Sequence, residues 1–325
     1  MPKQHEKISQ VDVCGVGLNA TDIILELPRF PASNSKLQCN SVSVLPGGQV
    51  ASALVACRRW GRTARYVGSV GDDAAAEMQE RELRASHIEA HLIRHHKCTS
   101  LHSYILLDSR SGERTILSHH DPRLALRPSQ LKREWISNSR LLLVDGHDAE
   151  AATAAAKWAR KLQIPVVADI DTRYPGVEVL LEHTDYLFSS QDFPKRFTKN
   201  SNLLQALREI SRRFGCRITG ATLGSLGAVA WDGIRFHYSP GFSVHAVDTT
   251  GAGDVFHAGV AYGMLKGWDL SRILEFSNAA AALNCTALGA RGGIKSLAAI
   301  RNLIAKGKRS GCDFSAIESG RHEHQ

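Results

Sequence analysis

No C-x-x-C pair occurs in this sequence, and its seven cysteines (Cys14, Cys39, Cys57, Cys98, Cys216, Cys285 and Cys312) are scattered and odd in number. Structural zinc needs four converging ligands, whose paired spacings are usually visible. Neither a zinc site nor a disulfide framework is therefore expected, and buried reduced thiols fit the mostly apolar neighbours. No run approaches the roughly 18 apolar residues of a membrane helix. The start, MPKQHEKISQ, is polar and has no apolar signal-peptide core. No membrane partner is expected, and the cytoplasm is the expected compartment. Aromatic residues make up only 6% and show no interleaved stacking pattern. The formal net charge of +8 is spread along the chain, with only short clusters such as KGKR (306–309) and RRWGRTAR (58–65). A nucleic-acid partner is not expected from that pattern; the excess reads as a solvated surface whose field suits anionic metabolites. There is no G-x-x-x-x-G-K-[ST] loop, and GVGLNA (15–20) has G-x-G without a third glycine. A Walker A site and a dinucleotide fingerprint are both excluded.

What is present is an ordinary globular composition: 325 residues, 43% hydrophobic and 22% charged. A chain of that length buries a large core without staples. VDVCGVGL (11–18), TARYVGSVG, RLLLVDG (140–146), IPVVADI, DYLFSS, RITGATLG and AVAWDG read as strands. Between them QVASALVACRRWG (49–61), AAAEMQERELRAS (74–86), AEAATAAAKWARKLQ and NLLQALREISRRFG read as helices. Alternating strands and helices predict a mostly parallel sheet covered on both faces. SLHSYILLDSRSGERTILSHH differs, with two alternating strands around the turn SRSGE, and predicts a small antiparallel excursion. No internal repeat and no low-complexity linker occurs, so one α/β domain over 1–325 is expected. The polar start and the tail 307–325 are expected to be frayed.

In open α/β sheets ligands bind where strands lead into helices. VHAVDTTGAGDVFHAGVAYGMLKG (244–267) is such a place. A strand FSVHAVD is expected to end at Asp248, and a helix to begin near Val255. The amides of Gly251, Ala252 and Gly253 would then lie at a helix N-terminus, favourable to an anion. Asp254 would stand within reach of an oxygen attacking a bound phosphate, the arrangement that phosphoryl transfer to an alcohol requires. The competing reading is a glycine-rich turn with Asp254 as a helix N-cap.

DTTGAGDVFHAG (248–259) resembles the C-terminal signature of the ribokinase (PfkB) family of sugar kinases. PGGQVASALVACRRWGRTARYVGSVGDD (46–73) resembles that family's Gly-Gly segment, helix and G-x-V-G-x-D turn. GATLGSLGAVAWDG (220–233) is similar to its nucleotide-site strand and loop, and FSNAAAALNCTALGARGG (276–293) to the late helix and loop beside the adenine. The resemblance, over about 11–305, implies a ribokinase-like three-layer α/β/α sandwich with a small β lid from segments 33–45 and 98–120. It implies an ATP- and Mg2+-dependent kinase for a small sugar or sugar derivative, acting on a hydroxyl, expected to be a hydroxymethyl. Asp254 is then the general base, and the 251–253 amides are the anion hole. Asp22, Gly47 and Gly48 hold the sugar; Thr222, Gly224, Gly227 and Asn278 line the nucleotide. Asp248 and Thr250, with loop 287–293, occupy positions where relatives hold a monovalent cation, K+ being the expected ion. The lid makes a dimer contact in several relatives, so a homodimer through the lid is a further expectation.

Some positions depart from that pattern. Where many members carry Asn-x-x-Glu to organise magnesium, DYLFSSQDF (185–193) has Ser190 and no Glu in register, leaving Asp192 or water as substitutes. The signature and late helix look closest to the sulfofructose-kinase-like branch, and Lys36 matches a position contacting the substrate's anionic end there. Asp145 stands where that branch has a cationic Arg, which argues against a sulfonate. Ser52 replaces the Asn that ribokinases place after Gly-Gly. His119, His120 and Asp121 are candidates for a sugar or phosphate contact, or for a metal. Two alternatives stay open: a nucleoside kinase on the same fold, for which the first strand region offers only Phe30, and a non-catalytic sugar- or nucleotide-binding relative.

Overall fold

The β-branched run Val11–Val16 (β1) is buried at every position but one, as a strand covered on both faces must be. The computed structural model describes residues 9–110, 113–310, 314 and 317. The further strands are β2 Ala20–Leu27, β3 Ser41–Gly47, β4 Ala64–Val70, β5 Glu89–Arg94, β6 His102–Asp108, β7 Arg114–His119 and β8 Ser139–Asp145. They continue with β9 Val166–Ile170, β10 Tyr186–Ser190, β11 Ile218–Thr222, β12 Ala228–Trp231, β13 Phe236–Ser239, β14 Gly241–Phe242 and β15 Arg309–Ser310. Nine of these form one sheet in the order β13-β12-β11-β10-β9-β8-β1-β4-β5. Neighbours from β11 to β5 are parallel, and β12 and β13 add an antiparallel edge.

The helices are α1 Gln49–Arg59, α2 Ala74–Ala85, α3 Arg133–Ser137, α4 Ala149–Lys161 and α5 Val177–Leu181. They continue with α6 Asp192–Thr198, α7 Leu203–Phe214, α8 Ala252–Leu265, α9 Leu270–Asn284 and α10 Leu297–Lys306. Local chemistry sets their ends: Asp73 and Asn202 cap α2 and α7 by accepting from Ala76 and Gln205 amides, and Gly215 ends α7 in the left-handed region. Alternate residues of β8 feed two cores. Leu141 and Leu143 pack with Leu54, Phe256 and Phe276 of α1, α8 and α9. Leu142 and Val144 pack with Ile136, Ala155 and Ile210 of α3, α4 and α7. The result is the expected three-layer α/β/α sandwich. The strand order reverses between β1 and β8, and the crevice at their carboxyl ends is where such sheets bind ligands.

A second sheet, in the order β3-β2-β6-β7, stands off the main one. Ile24, Ile105 and Leu107 are buried on its inner face against Leu45 and Leu288. Its segments differ from the expected 33–45 and 98–120: Ala20–Leu27 supplies a central strand, and 33–40 lies outside any strand. The SRSGE turn includes Ser111 and Gly112, which lie outside the described residues, as do the polar start through Lys7 and Ile8 and most of the tail.

Three further expectations are corrected. Strand FSVHAVD is absent beyond Phe242; Ser243 donates to Lys308 O, just before β15, and Val247 to Cys285 O at the end of α9. The helix begins at Ala252 rather than Val255. The tail is not frayed throughout: β15 pairs with β14, and Ile317 is buried beside Leu203 and Val229 because a short apolar patch there needs covering.

Candidate active site

Gly251 is the N-cap of α8 with φ 75°, and a Cβ there would lie 2.4 Å from Ala290 O. Only glycine satisfies both conditions. Val255 N–H closes an intrahelical bond to Gly251 O, so the amides ahead of it belong to the helix N-terminus. Ala252 N–H turns onto Thr249 O at 3.3 Å. Gly253 is exposed, with open space where a Cβ would be, so an anion can approach the backbone there. Asp254 follows in the first turn and makes no side-chain cap, which removes the N-cap reading. Burial pushes its carboxyl up to about 8; Asp169 and Asp22 add to the rise, while His257 and Arg291 oppose it.

A carboxyl acting as a general base must be ionised to accept a proton, so the base role expected of Asp254 can be tested by pH. With its pKa raised, Asp254 is mostly protonated in the free enzyme below pH 8. We expect kcat/KM to fall tenfold per pH unit below about 8 and to level off above it, as a pH–rate profile at saturating ATP will show.

Asp22 lies within β2, buried, beside Ser103 and opposite Leu45. Burial raises its pKa to about 6, against the pull of Arg291 and a hydrogen bond with Ser103. The two glycines after Pro46 have separate reasons. A Cβ at Gly47 would meet Asp22 Oδ2 at 2.0 Å, so Gly47 makes room for that carboxyl. Gly48, at φ 88°, would drive a Cβ to 2.5 Å from Asn19 Cα, so it lets α1 start against the β1–β2 connection.

Arg291 is the residue the sequence did not single out. It is buried, and its guanidinium donates to Ser52 Oγ at 3.1 Å, Asn19 Oδ1 at 3.3 Å and Gly47 O at 2.6 Å. Burial lowers its pKa to about 10, still cationic, with Asp22 and Asp254 among the groups that hold its charge. Ser52 is fully buried, so its hydroxyl meets Arg291 rather than an open pocket; it is a support for the cation. The only hint in sequence was the Asn-to-Ser change at 52, which leaves space for a longer partner.

Asp248 accepts from Thr250 N and Gly289 N, both at 2.8 Å, and ties the signature to loop 287–293. Asn284 reinforces the tie, donating to Thr250 O and Ala290 O at 3.1 Å each. Thr250 Oγ1 is buried without a hydrogen-bond partner, so this hydroxyl fits a role toward a bound ion. Thr222 ends β11 with its hydroxyl donating to Ser189 O at 3.4 Å. Gly224 and Gly227 have φ 60° and 102°, and a Cβ at Gly227 would meet Ser239 O at 2.1 Å. Asn278 is buried and donates to Ser239 O at 2.8 Å. Its amide braces the β13–β14 bend instead of standing free toward a nucleotide.

Other candidates are not brought together. Lys36 is exposed in the 28–40 connection. Asp192 faces Arg196 and Lys195 of its own helix, at 3.3 and 3.7 Å. Asp145 is buried and accepts from Leu18 N and His147 N, stapling β1 to β8; burial pushes it up to about 7. Asp121 is bound by Arg123, while the His120 ring meets His147 at 4.4 Å. Among the described residues, no group of three or more His, Cys, Asp or Glu could hold a metal ion.

A β-sheet crevice with an open helix N-terminus, a carboxyl in its first turn and a second buried carboxyl opposite defines a phosphotransferase-type site. Residues 11–297 match the model of the pfkB family carbohydrate kinases. The ATP-dependent ribose-1-phosphate kinase of Halopiger xanaduensis is 28% identical, over 86% of this chain and 94% of that one. Bacillus subtilis ribokinase is 24% identical, over 90% of this chain and 99% of its own. The structure of Arabidopsis thaliana ribokinase complexed with ribose and ATP superposes with a TM-score of 0.76 at 22% identity, covering 92% of this chain and all of that one. The chain belongs to the pfkB family of carbohydrate kinases and has the ribokinase-like fold. No helix among the described residues is long and apolar enough to cross a membrane.

Proposed function

We propose that this kinase transfers the γ-phosphoryl group of ATP to a hydroxymethyl group of a small, neutral sugar or sugar derivative. The observation that carries this is the meeting of Asp22, Arg291 and Asp254, from three separate parts of the chain, in front of the open N-terminus of α8. Asp22 and the backbone at Gly47 and Gly48 orient the sugar by accepting hydroxyl hydrogen bonds. The acceptor hydroxyl gives its proton to Asp254 as its oxygen bonds to phosphorus. The bond from phosphorus to the bridging oxygen breaks, and ADP leaves with that oxygen. The Gly251–Gly253 backbone meets the equatorial phosphoryl oxygens. Thr222, Gly224, Gly227 and the brace at Asn278 form the nucleotide side. Mg2+ neutralises polyphosphate charge in this chemistry; Asp192, turned to its own helix, does not fit as its ligand. K+ fits beside Thr250 Oγ1 and loop 287–293.

The neutral-sugar reading separates this protein from the sulfofructose-kinase-like branch, because Asp145 spends both oxygens on backbone amides and adds no cation. A nucleoside would need aromatic support, and Phe30, 36% exposed on the 28–40 connection, stands without it. An ATP-consumption screen over free sugars, sugar phosphates, sugar acids, polyols and nucleosides tests the proposal. Turnover confined to nucleosides, or none with any sugar, would overturn it. The free thiols among the described cysteines suit a reducing compartment, and we place the enzyme in the cytoplasm.

The outer face of the second sheet supports a homodimer. Val42, Val44, Tyr104 and Leu117 are 42–61% exposed; the pairing Val44–Ile23–Tyr104–Leu117 sets the last three in one row, with Val42 two residues from Val44 on the same strand. Apolar patches of this kind mark interaction surfaces. We expect the wild type to sediment at twice its 35.5 kDa, and the Val44→Glu/Leu117→Glu variant at the monomer mass. A monomeric wild type at micromolar concentration refutes the dimer.

A further inference from the structure

His257 lies one turn beyond Asp254 on α8, is 2% exposed, and has no part in the transfer chemistry above. Its Nδ1 is 2.7 Å from Gly253 O and 3.2 Å from Asp169 Oδ2, and its Nε2 is 3.2 Å from Phe188 O. The ring is thus faced by oxygens from three elements: the first turn of α8, β9 and β10. Two of these are carbonyls, which only accept.

A neutral imidazole has one N–H and one lone pair. If Nε2 carries the hydrogen, the Nδ1 lone pair points at a carbonyl oxygen 2.7 Å away. If Nδ1 carries it, the Nε2 lone pair faces Phe188 O. Only the doubly protonated ring offers a hydrogen to both sides. The acidic groups acting on the ring are Asp254 of α8 and Asp171 beyond β9, and those acting on Asp169 are Asp171 and Asp145 of β8. Asp254 and Asp171, where ionised, favour a cation on the ring, while Asp171 and Asp145 oppose the charged form of Asp169. Burial is the largest influence and acts the other way, lowering the imidazole and raising Asp169; what favours the ion pair is the set of oxygens around the ring. A buried charge pair persists when its remaining hydrogen-bond capacity is met, and here every ring N–H has an acceptor.

We propose that His257 is an imidazolium held by the Asp169 carboxylate, and that this buried pair is the positioning device of the catalytic base. Nδ1–H clamps the Gly253 carbonyl and so fixes the turn that carries the anion-binding amides. The charge lies behind Asp254 and favours its ionised form, opposing the upward push of burial, Asp169 and Asp22. The inference rests on Asp254 acting as the base, and the two fail separately: loss of the sugar-kinase reading would show as absent turnover, whereas the state of His257 is read without turnover.

The state is read by nitrogen NMR of the full chain labelled with 15N-histidine, at pH 7 and pH 8. One of the fifteen histidines should show both ring nitrogens protonated at both pH values, and this signal should vanish in His257→Gln. In the same variant, the acid limb of kcat/KM for sugar phosphorylation should move to higher pH by about one unit, a tenfold loss below the limb. Asp169→Asn, which removes the counter-charge and keeps the shape, should return the ring to the neutral signature. A neutral ring in the wild type at pH 7, or an acid limb unmoved in both variants, overturns the proposal.

Discussion

Asp254→Asn is expected to lower kcat by about 10²–10⁴-fold, the usual contribution of a positioned general base. The amide keeps the shape of the carboxyl and can accept a hydrogen bond, but it cannot take a proton. The helix that carries it is held elsewhere, by Val255, Phe256 and Val260 in the core, so ATP affinity should be unchanged. Stability should rise rather than fall. An acid whose folded pKa is raised opposes folding at pH values above its unfolded pKa, and the opposition is complete once pH exceeds about 8. Asparagine removes that term along with the repulsion from Asp169 and Asp22. The variant should therefore melt at a higher temperature than the wild type at pH 8 while turning over far more slowly. A kcat within tenfold of the wild type would remove Asp254 from the mechanism.

Arg291→Leu is expected to cost about 3–5 kcal/mol of stability, the range for removing one member of a buried charged network. Asn19 Oδ1, Gly47 O and Ser52 Oγ lose their donor at once, and Asp22 loses the charge that offsets its burial. The leucine fills only part of the space and offers no hydrogen. The unfolding midpoint should drop by on the order of 5–10 °C. In folded protein below the transition, KM for the sugar should rise more than KM for ATP, because the lost contacts are to the sugar-side segments. Arg291→Lys separates charge from geometry: it keeps the cation but cannot fork to three acceptors, so it should recover part of the stability and little of the sugar affinity. Equal changes in both KM values for Arg291→Leu would place Arg291 outside the sugar site.

These two residues also show what could be read in advance. Asp254 and Gly251 sit in one contiguous stretch whose composition already implies a helix N-terminus facing an anion. The layered architecture was legible for a similar reason, since a run like Val11–Val16 has few choices but a strand buried on both faces. The misread elements are those decided by distant partners. FSVHAVD alternates like a strand, yet its amides are taken by the end of α9 and by Lys308. NATDIILEL carried no sign that it would leave the main sheet to centre the second one.

By itself, then, the sequence determined the layered fold, the glycine-rich helix start and the carboxyl in its first turn, because each depends on hydrophobic period or on backbone freedom over a few neighbouring residues. Only the tertiary structure decided which charges share the site. Arg291 and Gly47 are 244 residues apart, and the spacing of neither predicts the other. Asp169 and His257 meet because β9 ends beneath the first turn of α8, a register set by packing of the whole sheet. Burial at those meeting points raises Asp254 and lowers Arg291, and burial is a property that no local stretch of chain possesses.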